Sequence, residues 1–195
     1  IPMRKRNSVI AAIVCVLVVI GLFGYITWSR GHNTADETEL TEVQKLAAMD
    51  IEKNYPATPR EVVKLYNRII SCFYNSDCTE DEVTALGDQA RLLFDEELLE
   101  NNPRDQYFED LKLEIEDYKS QEKTINSASV CSSNEVEFKT IDSRECAYVT
   151  VNYFISNGKA KSYERTYQTY VLRKDTDGKW KILVFYLTEG DSSDE

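Results

Sequence analysis

The apolar residues of this chain recur with three different periods, and each period covers one stretch. Residues Val9–Trp28 are twenty consecutive positions without a charged side chain. From Thr58 to Lys119 apolar residues recur every three or four positions, as on one face of an amphipathic helix. Beyond Lys119 they alternate with polar residues or gather in runs rich in Val, Thr and Tyr, which is typical of β-strands. The pattern therefore predicts an apolar rod, then a helical region, then a sheet.

The first stretch has the length of a membrane span. Twenty helical residues extend about 30 Å, the thickness of the hydrocarbon core of a bilayer. The basic residues Arg4–Arg6 precede the stretch and acidic residues follow it, so the positive-inside rule places the N-terminus in the cytoplasm. We therefore predict a single-pass protein of the cell membrane. Val9–Trp28 contacts lipid, residues 1–8 form a cytoplasmic stub, and the remainder is extracytoplasmic.

Three other interpretations of Val9–Trp28 fit less well. A cleaved signal peptide has a shorter apolar region of about 7–15 residues and small residues at its cleavage site. A lipoprotein signal requires a small residue before the acylated cysteine, whereas Cys15 follows Val14 in the middle of the stretch. A buried helix of a soluble protein seldom lacks charge over twenty residues.

Residues 29–58 are interpreted as a stalk, and residues 59–189 as the main extracytoplasmic domain. The stalk carries a modest helical pattern at Leu40, Val43, Ala47 and Ile51. An acidic tail, residues 190–195, follows the domain and is expected to be disordered.

Three helices are predicted in the first half of the domain. Thr58-Pro59 opens the first, because a threonine N-cap followed by proline suits a first helical turn. Thr79 with Glu82 forms a capping box that opens the second, and Asn102-Pro103 opens the third. A short extra turn is expected over residues 95–101. The apolar stripes are, in order, Val62, Leu65, Tyr66, Ile69 and Phe73, then Val83, Leu86, Gly87, Ala90, Leu93 and Phe94, then Phe108, Leu111, Ile115 and Tyr118.

The second half of the domain predicts an antiparallel meander of four strands, or five if Thr124–Cys131 joins it. Asn157-Gly158 between two strand-like runs is a strong signal for a two-residue hairpin turn. Asp175–Gly178 is interpreted as another turn, since a calcium loop would need glycine and glutamate where Trp180 and Tyr186 stand. The expected strands are Val136–Phe138, Cys146–Ile155, Ser162–Leu172 and Trp180–Leu187.

Helices followed by a meander define an α+β fold, with three helices packed on one face of a curved antiparallel sheet. The capped helix PREVVKLYNRII, the hairpin around Asn157-Gly158 and the final segment KDTDGKWKILVFY resemble the cone-shaped fold of nuclear transport factor two. Ketosteroid isomerase and scytalone dehydratase share that fold. With its stub and span, the whole chain is similar to envelope proteins of Gram-positive bacteria. The resemblance implies a pocket between helices and sheet.

Charge and residue types argue against several functional classes. All 34 acidic residues, but only 20 of the 23 basic ones, follow the predicted span. Nucleic acid is therefore excluded as a partner, because phosphate binding needs a concentrated positive field. The single histidine, His32, and the absence of any CxxC leave no zinc pattern, and we predict no metal and no cofactor. Four extracytoplasmic cysteines permit two disulfides in three connectivities that the sequence leaves open: Cys72, Cys78, Cys131 and Cys146.

A two-residue turn at Asn157-Gly158 would pair residues whose numbers add up to 315. Tyr153 would then face the helices together with the polar positions of the returning strand. Glu164 would lie opposite Val151 in the pocket, where burial raises the pKa of a carboxyl and makes it a base. The alternative is that this end of the hairpin projects into water. The candidate pocket residues are Glu164, Thr166, Gln168 and Tyr153.

The opposite face of the same hairpin carries aromatic residues and arginine, which are enriched in protein contacts. Relatives with the cone fold often pair through this surface, so a homodimer is one expectation. Packing of tyrosines across strands within one molecule is the other. The candidate interaction residues are Tyr148, Asn152, Tyr163, Arg165 and Tyr167.

Three functions remain open. The leading hypothesis is a non-enzymatic, membrane-anchored module that binds a small ligand or an envelope protein, because no catalytic constellation is visible. The second is a scaffold subunit of an envelope secretion or conjugation assembly. The third is a small isomerase or hydratase that uses Glu164 as its base.

Overall fold

The computed structural model describes residues 40–188, which form an α+β domain. The predicted stub, the span Val9–Trp28, the first part of the stalk and the tail lie outside the described residues. Within residues 40–188, no helix combines the length and the apolar composition that crossing a membrane requires. The described helices are α1 (Glu42–Ala47), α2 (Pro59–Asn75), α3 (Glu80–Arg91), α4 (Glu96–Asn101) and α5 (Arg104–Ser120). The strands are β1 (Lys123–Val130), β2 (Glu137–Ile141), β3 (Arg144–Asn157), β4 (Ser162–Lys174) and β5 (Trp180–Thr188).

The helix starts follow the capping chemistry that the sequence predicts. The Thr58 hydroxyl accepts a hydrogen bond from the amide of Glu61 at the start of α2. At the start of α3, Thr79 and Glu82 form the reciprocal capping box. α5 begins after Pro103 without a side-chain cap. The predicted stripe of α2 is buried throughout, which confirms this helix as the centre of the helical layer.

The sheet is antiparallel and has the order β1-β3-β4-β5, with β2 also paired to β3. β1 pairs with the second half of β3 and β2 with its first residues, so the fifth strand completes the meander. The helices lie on one face: α2 contacts β1, β3 and β5, and α5 contacts β1. Buried side chains of that face include Val149, Val151, Leu172 and Ile182.

The described part of the predicted stalk belongs to the domain. Val43 and Leu46 of α1 are buried, and so is Ile51 beyond it, in the same core as α2 and the sheet. Leu40, which the helical pattern placed on the apolar face, is instead 54% exposed. The reason is that α1 starts only after Thr41, whose capping box with Gln44 fixes its first turn. Residues 41–58 therefore pack as part of the fold.

Two turns that join strands of the sheet have the geometry that their residues favour. In the turn at Asp175–Gly178, the Asp175 carboxylate accepts from the amides of Asp177 and Lys179, and Gly178 has a φ of +79°. Asp142 and Ser143 join β2 to β3 with positive φ at both residues, which suits a two-residue hairpin. The segment Asp175–Gly178 is therefore a turn, and the Asp175 carboxylate is hydrogen-bonded to backbone amides of the same turn.

The segment before α4 fastens the helices to the edge of the sheet. Ile182 of β5 donates to the carbonyl of Leu93 and accepts from the amide of Asp95, both at 2.8 Å. Asp95 also caps α4 and forms a buried ion pair with Arg173, whose Nε lies 3.0 Å from Oδ2. Burial alone raises the pKa of Asp95, but the hydrogen bonds from Arg173 and from the amide of Glu97 outweigh it, so the pKa is lowered. The pair therefore stabilises the fold at neutral pH.

We expect Arg173→Ala to lower the free energy of unfolding at pH 7 by about 3–5 kcal/mol, because it leaves the buried Asp95 carboxylate unpaired. Since the folded-state pKa of Asp95 lies below its unfolded value, the wild-type advantage should shrink as the pH falls below about 4. Urea denaturation of the wild type and of Arg173→Ala at pH 7 and at pH 3 measures this difference in the free energy of unfolding. Arg68→Ala, which removes the half-exposed pair with Glu42, is the control and should change stability by less than about 1 kcal/mol. Equal losses in the two variants would contradict the role given to Arg173.

Candidate functional site

A cavity of about 470 Å³ lies between the helices and the sheet. α2, the α4 region and α5 form its helical walls, the inner faces of β1, β3 and β4 form its floor, and the end of β5 reaches its mouth. The volume falls in the range of about 300–1,000 Å³ that is typical of small-molecule sites. The sheet extends beyond the part that the helices cover, and the cavity occupies this partly covered end.

Aromatic rings dominate the lining. Nine of its twenty residues are aromatic, and most belong to edge-on or tilted ring pairs. Tyr66, for example, contacts Phe94, Tyr170 and Phe185 with ring centroids 5.5–6.3 Å apart. The aromatic residues of the lining are Tyr66, Phe73, Tyr74, Phe94, Tyr107, Tyr118, Tyr153, Tyr170 and Phe185. Such a wall favours a ligand that has flat apolar surface or positive charge.

A buried chain of hydrogen bonds forms the polar part of the floor. The Tyr153 hydroxyl donates to Oδ1 of Asn67, and its oxygen lies 2.6 Å from the hydroxyl of Tyr170. Tyr170 Oη is in turn 3.0 Å from Gln168 Oε1. Asn67 is held in place because its Nδ2 donates to the carbonyl of Val63 at 2.8 Å. The chain connects helix α2 to two neighbouring strands.

The phenols of the floor are neutral at physiological pH. Burial raises the pKa of Tyr153 to about 12, although its hydrogen bonds to Tyr170 and Asn67 act in the opposite direction. Burial also raises the pKa of Tyr66 and of Tyr170 well above the ordinary value. These hydroxyls therefore stay protonated, and none is prepared to act as a base.

Two carboxylates of α5, Asp110 and Glu114, line the cavity near its opening and are solvent-exposed. They lie one helical turn apart on the same face. The Tyr74 ring stacks on Tyr118 with ring centroids 4.1 Å apart, and Glu114 lies close enough for its charge to act on the Tyr74 hydroxyl. Burial, followed by the charge of Glu114, raises the pKa of Tyr74. The lining contains no lysine and no arginine, so its formal charge is negative.

Three of the four predicted pocket residues line this cavity. Tyr153, Thr166 and Gln168 lie on its floor, as the strand pattern predicts. Glu164 does not line it and is exposed to solvent. Of the two alternatives left open for Glu164, the structure agrees with the one in which this end of the hairpin projects into water, and Glu164 is not a carboxylate base inside the pocket.

The misplacement of Glu164 comes from the strand register. β3 and β4 pair so that Ile155 is opposite Glu164 and Val151 is opposite Gln168, four residues from the predicted register. Four is an even number, so every side chain keeps its predicted face, but its partner moves about 13 Å along β3. Glu164 thus lies near the hairpin end, beyond the helical cover.

The register changes because Asn157-Gly158 does not form a two-residue turn. Gly158 and Lys159 donate their amides to the carbonyls of Glu122 and Gln121, at the connection between α5 and β1. A Cβ at Gly158 would stand 2.8 Å from Glu122 Oε2, so the glycine permits this close approach. Asn157 instead pairs with Ser162, so residues 158–161 form a four-residue connection, in which Lys161 has a φ of 52°. A long-range contact has overridden the local turn preference.

The predicted interaction residues lie on the outer face of the sheet. Tyr163 is 71% exposed and stacks on Phe154 with ring centroids 5.3 Å apart. Arg165 is exposed, opposite Phe154, while Tyr167 is half-buried opposite Asn152. Tyr148 is half-buried beneath the ammonium of Lys139, 4.4 Å from the ring centroid. Both expectations for this face stay open, because it combines internal ring packing with exposed aromatic surface.

Asn67, Tyr74, Asp110 and Glu114 were not predicted as site residues. A signal for the first two exists in the sequence, because Val63, Asn67, Ile70 and Tyr74 recur with helical spacing beside the main stripe of α2. A polar residue in such a second stripe suggests a buried hydrogen bond. Asp110 and Glu114 have no comparable signal, since α5 carries many acidic residues and its sequence does not mark the two that face the cavity.

Another depression, of about 540 Å³, lies on the other side of α2. It is more open, and its lining includes Glu42 and Arg68, which pair with each other at 2.6 Å. Cys72 also lines it, and burial raises the pKa of this thiol to about 11. With its main charges paired and its thiol protonated, this depression offers less binding chemistry than the aromatic cavity.

The described residues contain no group of three or more potential metal ligands. The four cysteines over which disulfides were left open, Cys72, Cys78, Cys131 and Cys146, are free thiols. Cys78 Sγ instead contacts the carbonyl oxygen of Cys72 at 3.5 Å. The described part of the chain therefore offers the aromatic cavity as its best-formed site.

The family model described as "Domain of unknown function (DUF6715)" matches residues 3–185, which is most of the chain. No curated protein matches it.

We expect Tyr153→Phe to destabilise the fold by about 1–3 kcal/mol, because it leaves Asn67 Oδ1 buried without a donor. Urea denaturation followed by circular dichroism measures the loss. Tyr163→Phe removes the same atom from an exposed tyrosine and should stay within about 0.5 kcal/mol of the wild type. If Tyr153→Phe were as stable as this control, the hydrogen-bond chain would not hold the floor in place.

Proposed function

The chain belongs to the DUF6715 family, and from the cavity of this member we propose that it is a membrane-anchored, extracytoplasmic binding protein for a small organic ligand. The observation that supports this function is a cavity of about 470 Å³ whose lining is mostly apolar, with nine aromatic residues among twenty, and contains a few fixed polar groups. Small-molecule sites share this combination, since apolar walls give affinity and a few polar atoms give orientation. The domain would present the cavity outside the membrane.

The membrane part of the proposal rests on the sequence. Val9–Trp28 is uncharged and long enough to span a bilayer, and Arg4–Arg6 on its N-terminal side favour a cytoplasmic N-terminus. The acidic character of the rest of the chain is compatible with a domain held near, but not on, an anionic lipid surface.

We also propose that the domain is a cone-shaped relative of nuclear transport factor two. A helical layer that precedes a meander, and a pocket between that layer and the sheet, support this assignment. Register shifts between Ile125 and Ser127 in β1, and between Ile182 and Val184 in β5, are bulges of the kind that bend a sheet. On this fold the cavity would correspond to the interior of the cone.

A protein-interaction role is the second candidate, and one observation favours it. β5 ends in exposed apolar residues on both faces: Val184 and Tyr186 on the outer face, and the 76%-exposed Leu187 on the inner face at the edge of the cavity. β5 is an edge strand, and among the described residues only Ile182 forms a β-bridge along its free edge. An open strand edge with apolar side chains suits contact with an envelope protein or a second copy. The third hypothesis, an isomerase or hydratase, relied on Glu164 inside the pocket and has no such observation.

The binding function predicts that filling the cavity abolishes ligand binding. Thr166→Trp places a large ring on the floor, whereas Arg165→Trp places the same ring on the opposite face of the same strand. The probe is the neutral 2-(2-naphthyl)ethanol, titrated by ligand-observed NMR into the full chain in phosphatidylcholine nanodiscs. From its size we expect wild type and Arg165→Trp to bind with a dissociation constant of about 1 mM, and Thr166→Trp not to saturate.

Thermal unfolding of both variants identifies any that has failed to fold, and empty nanodiscs give the lipid background. Should the Thr166→Trp protein fold and bind the probe like the wild type, the cavity would not be the binding site. Absence of saturable binding to the wild type would overturn the proposed function.

The anchor predicts that charges in the span release the chain from the membrane. Each arginine at mid-span costs about 2.5–3.5 kcal/mol of insertion free energy, so the double change Val16→Arg and Ile20→Arg should move the protein to the soluble fraction after a carbonate wash. The matched change Val16→Leu and Ile20→Leu should leave it in the membrane fraction. Wild-type protein in the soluble fraction would contradict the anchor.

A further inference from the structure

We propose that the cavity is built for an organic cation, a ligand whose protonated amine meets hydrogen-bond acceptors and aromatic faces. The inference rests on the proposed binding function and specifies the chemistry of the ligand. It follows from which polar atoms of the lining are already used as donors and which remain free to accept. The formal charge of the lining and the placement of its rings support it independently.

The direction of the hydrogen bonds in the floor can be derived from one end. Asn67 Nδ2 donates to the Val63 carbonyl, which fixes Oδ1 as the atom that faces Tyr153 and accepts its hydrogen. The hydrogen between the two phenols, 2.6 Å apart, must then come from Tyr170. Tyr170 has no second hydrogen to offer the next group in the chain.

The side chain of Gln168 must therefore donate to Tyr170 and not accept from it. A half-turn of the amide exchanges its two ends and places Nε2 at the 3.0 Å contact with Tyr170. All three contacts of the chain then contain one hydrogen each, from Gln168 through both tyrosines to Asn67. Gln168 Oε1 is left free, on a side chain that lines the cavity, so the floor offers an acceptor.

The wall near α4 offers an acceptor for a similar reason. Asn102 Nδ2 donates to the carbonyl of Leu98 at 3.0 Å, and Asn102 lines the cavity. Its Oδ1 makes no hydrogen bond with the described residues and can accept from a ligand. With Gln168, this gives two neutral acceptors on different walls.

The carboxylates of Asp110 and Glu114 add acceptors that carry charge. Asp110 Oδ1 accepts from Gln106 Nε2 at 2.9 Å, and an ionised carboxylate has further lone pairs for a second donor. Arg91 and Lys123 stand outside the lining, over the rings of Tyr107 and Tyr118 at 5.3 and 5.4 Å. Arg91 is also bound to the Asn102 carbonyl at 2.8 Å. The cavity itself therefore presents negative charge without an internal cation.

The aromatic lining reinforces the same preference. A ring attracts a cation over its face, and a water-excluded site strengthens the attraction. An anionic ligand would face two carboxylates and the negative faces of the rings, and Gln168 and Asn102 would show it their oxygens. Tyr66, Tyr107 and Tyr118 have hydroxyls that can donate or accept, so they do not oppose either class.

Three probes of equal size and different charge test the proposal. We expect 2-(2-naphthyl)ethylamine, which is cationic at pH 7, to bind the full chain in phosphatidylcholine nanodiscs at least about tenfold more tightly than the neutral 2-(2-naphthyl)ethanol. The anion 2-naphthylacetate should bind more weakly than the alcohol. The zwitterionic lipid adds no net charge of its own, and Thr166→Trp supplies the background for each probe.

A pair of double variants separates the cavity carboxylates from bulk charge. Asp110→Asn with Glu114→Gln should reduce the preference for the amine over the alcohol, which is the ratio of their dissociation constants in the same variant, by about tenfold. Glu109→Gln with Glu116→Gln removes the same charge from exposed positions of the same helix that do not line the cavity, and should keep the preference.

The outcomes distinguish this inference from the binding function. If the alcohol binds but the amine binds no more tightly, or the anion binds best, the cation preference is overturned while the binding function stands. Equal loss of preference in both double variants would also overturn it, since the effect would then be non-specific charge. If no probe binds the wild type above the Thr166→Trp background, the binding function itself fails.

Discussion

The pairing of β3 with β4 is the constraint on which the rest of the domain depends. Twelve consecutive residue pairs, from Cys146–Arg173 to Asn157–Ser162, form one long antiparallel ribbon. Because side chains alternate between faces, this register decides at once which residues meet the helices and which meet solvent. It places Tyr153 opposite Thr166 and Tyr170 opposite Val149 on the inner face, where the two hydroxyls meet and Tyr153 donates to Asn67 of α2. The floor of the cavity is thus a direct product of the register.

The cavity exists because the ribbon is longer than its helical cover. Val149, Val151 and Leu172 are fully buried under the helices, whereas Thr166 is half-buried and Glu164 is exposed on the same face. At the other edge, the ion pair of Asp95 with Arg173 and the backbone bonds of Ile182 hold the start of α4 against β5. These contacts hold the helical wall near α4 apart from the strands of the floor, and side chains do not fill the space between them. A partly covered sheet with a fastened wall therefore leaves room for a ligand.

The chemistry of the lining can be understood from hydrogen-bond accounting. Buried polar groups pair with each other, and the amide oxygens of Gln168 and Asn102 are left to accept from a ligand. Neutral phenols supply ring faces, and the carboxylates of α5 supply charge at the opening. The walls come from helices and strands that are far apart in sequence, so no local sequence motif identifies the site.

Much of this domain was accessible from sequence because it depends on local rules. Capping at Thr58 and Thr79, the stripe of α2, the glycine turn at Gly178 and the alternation of β3 and β4 each involve neighbours within a few residues. The same rules assigned Thr166 and Gln168 to the inner face, and an even error in register does not change the face. The helices-then-meander order followed from the change of apolar period.

Only the tertiary structure decided the register between paired strands and the contacts between elements that are distant in the chain. The contact of Gly158 with Glu122 set the β3–β4 register against the local turn preference, and so excluded Glu164 from the cavity. Packing of Val43, Leu46 and Ile51 drew a segment read as stalk into the core. Asp110 and Glu114 became site residues only because α5 turns that face to the cavity. Periodicity fixes the face of a side chain, whereas its neighbours depend on contacts between segments that are distant in the chain.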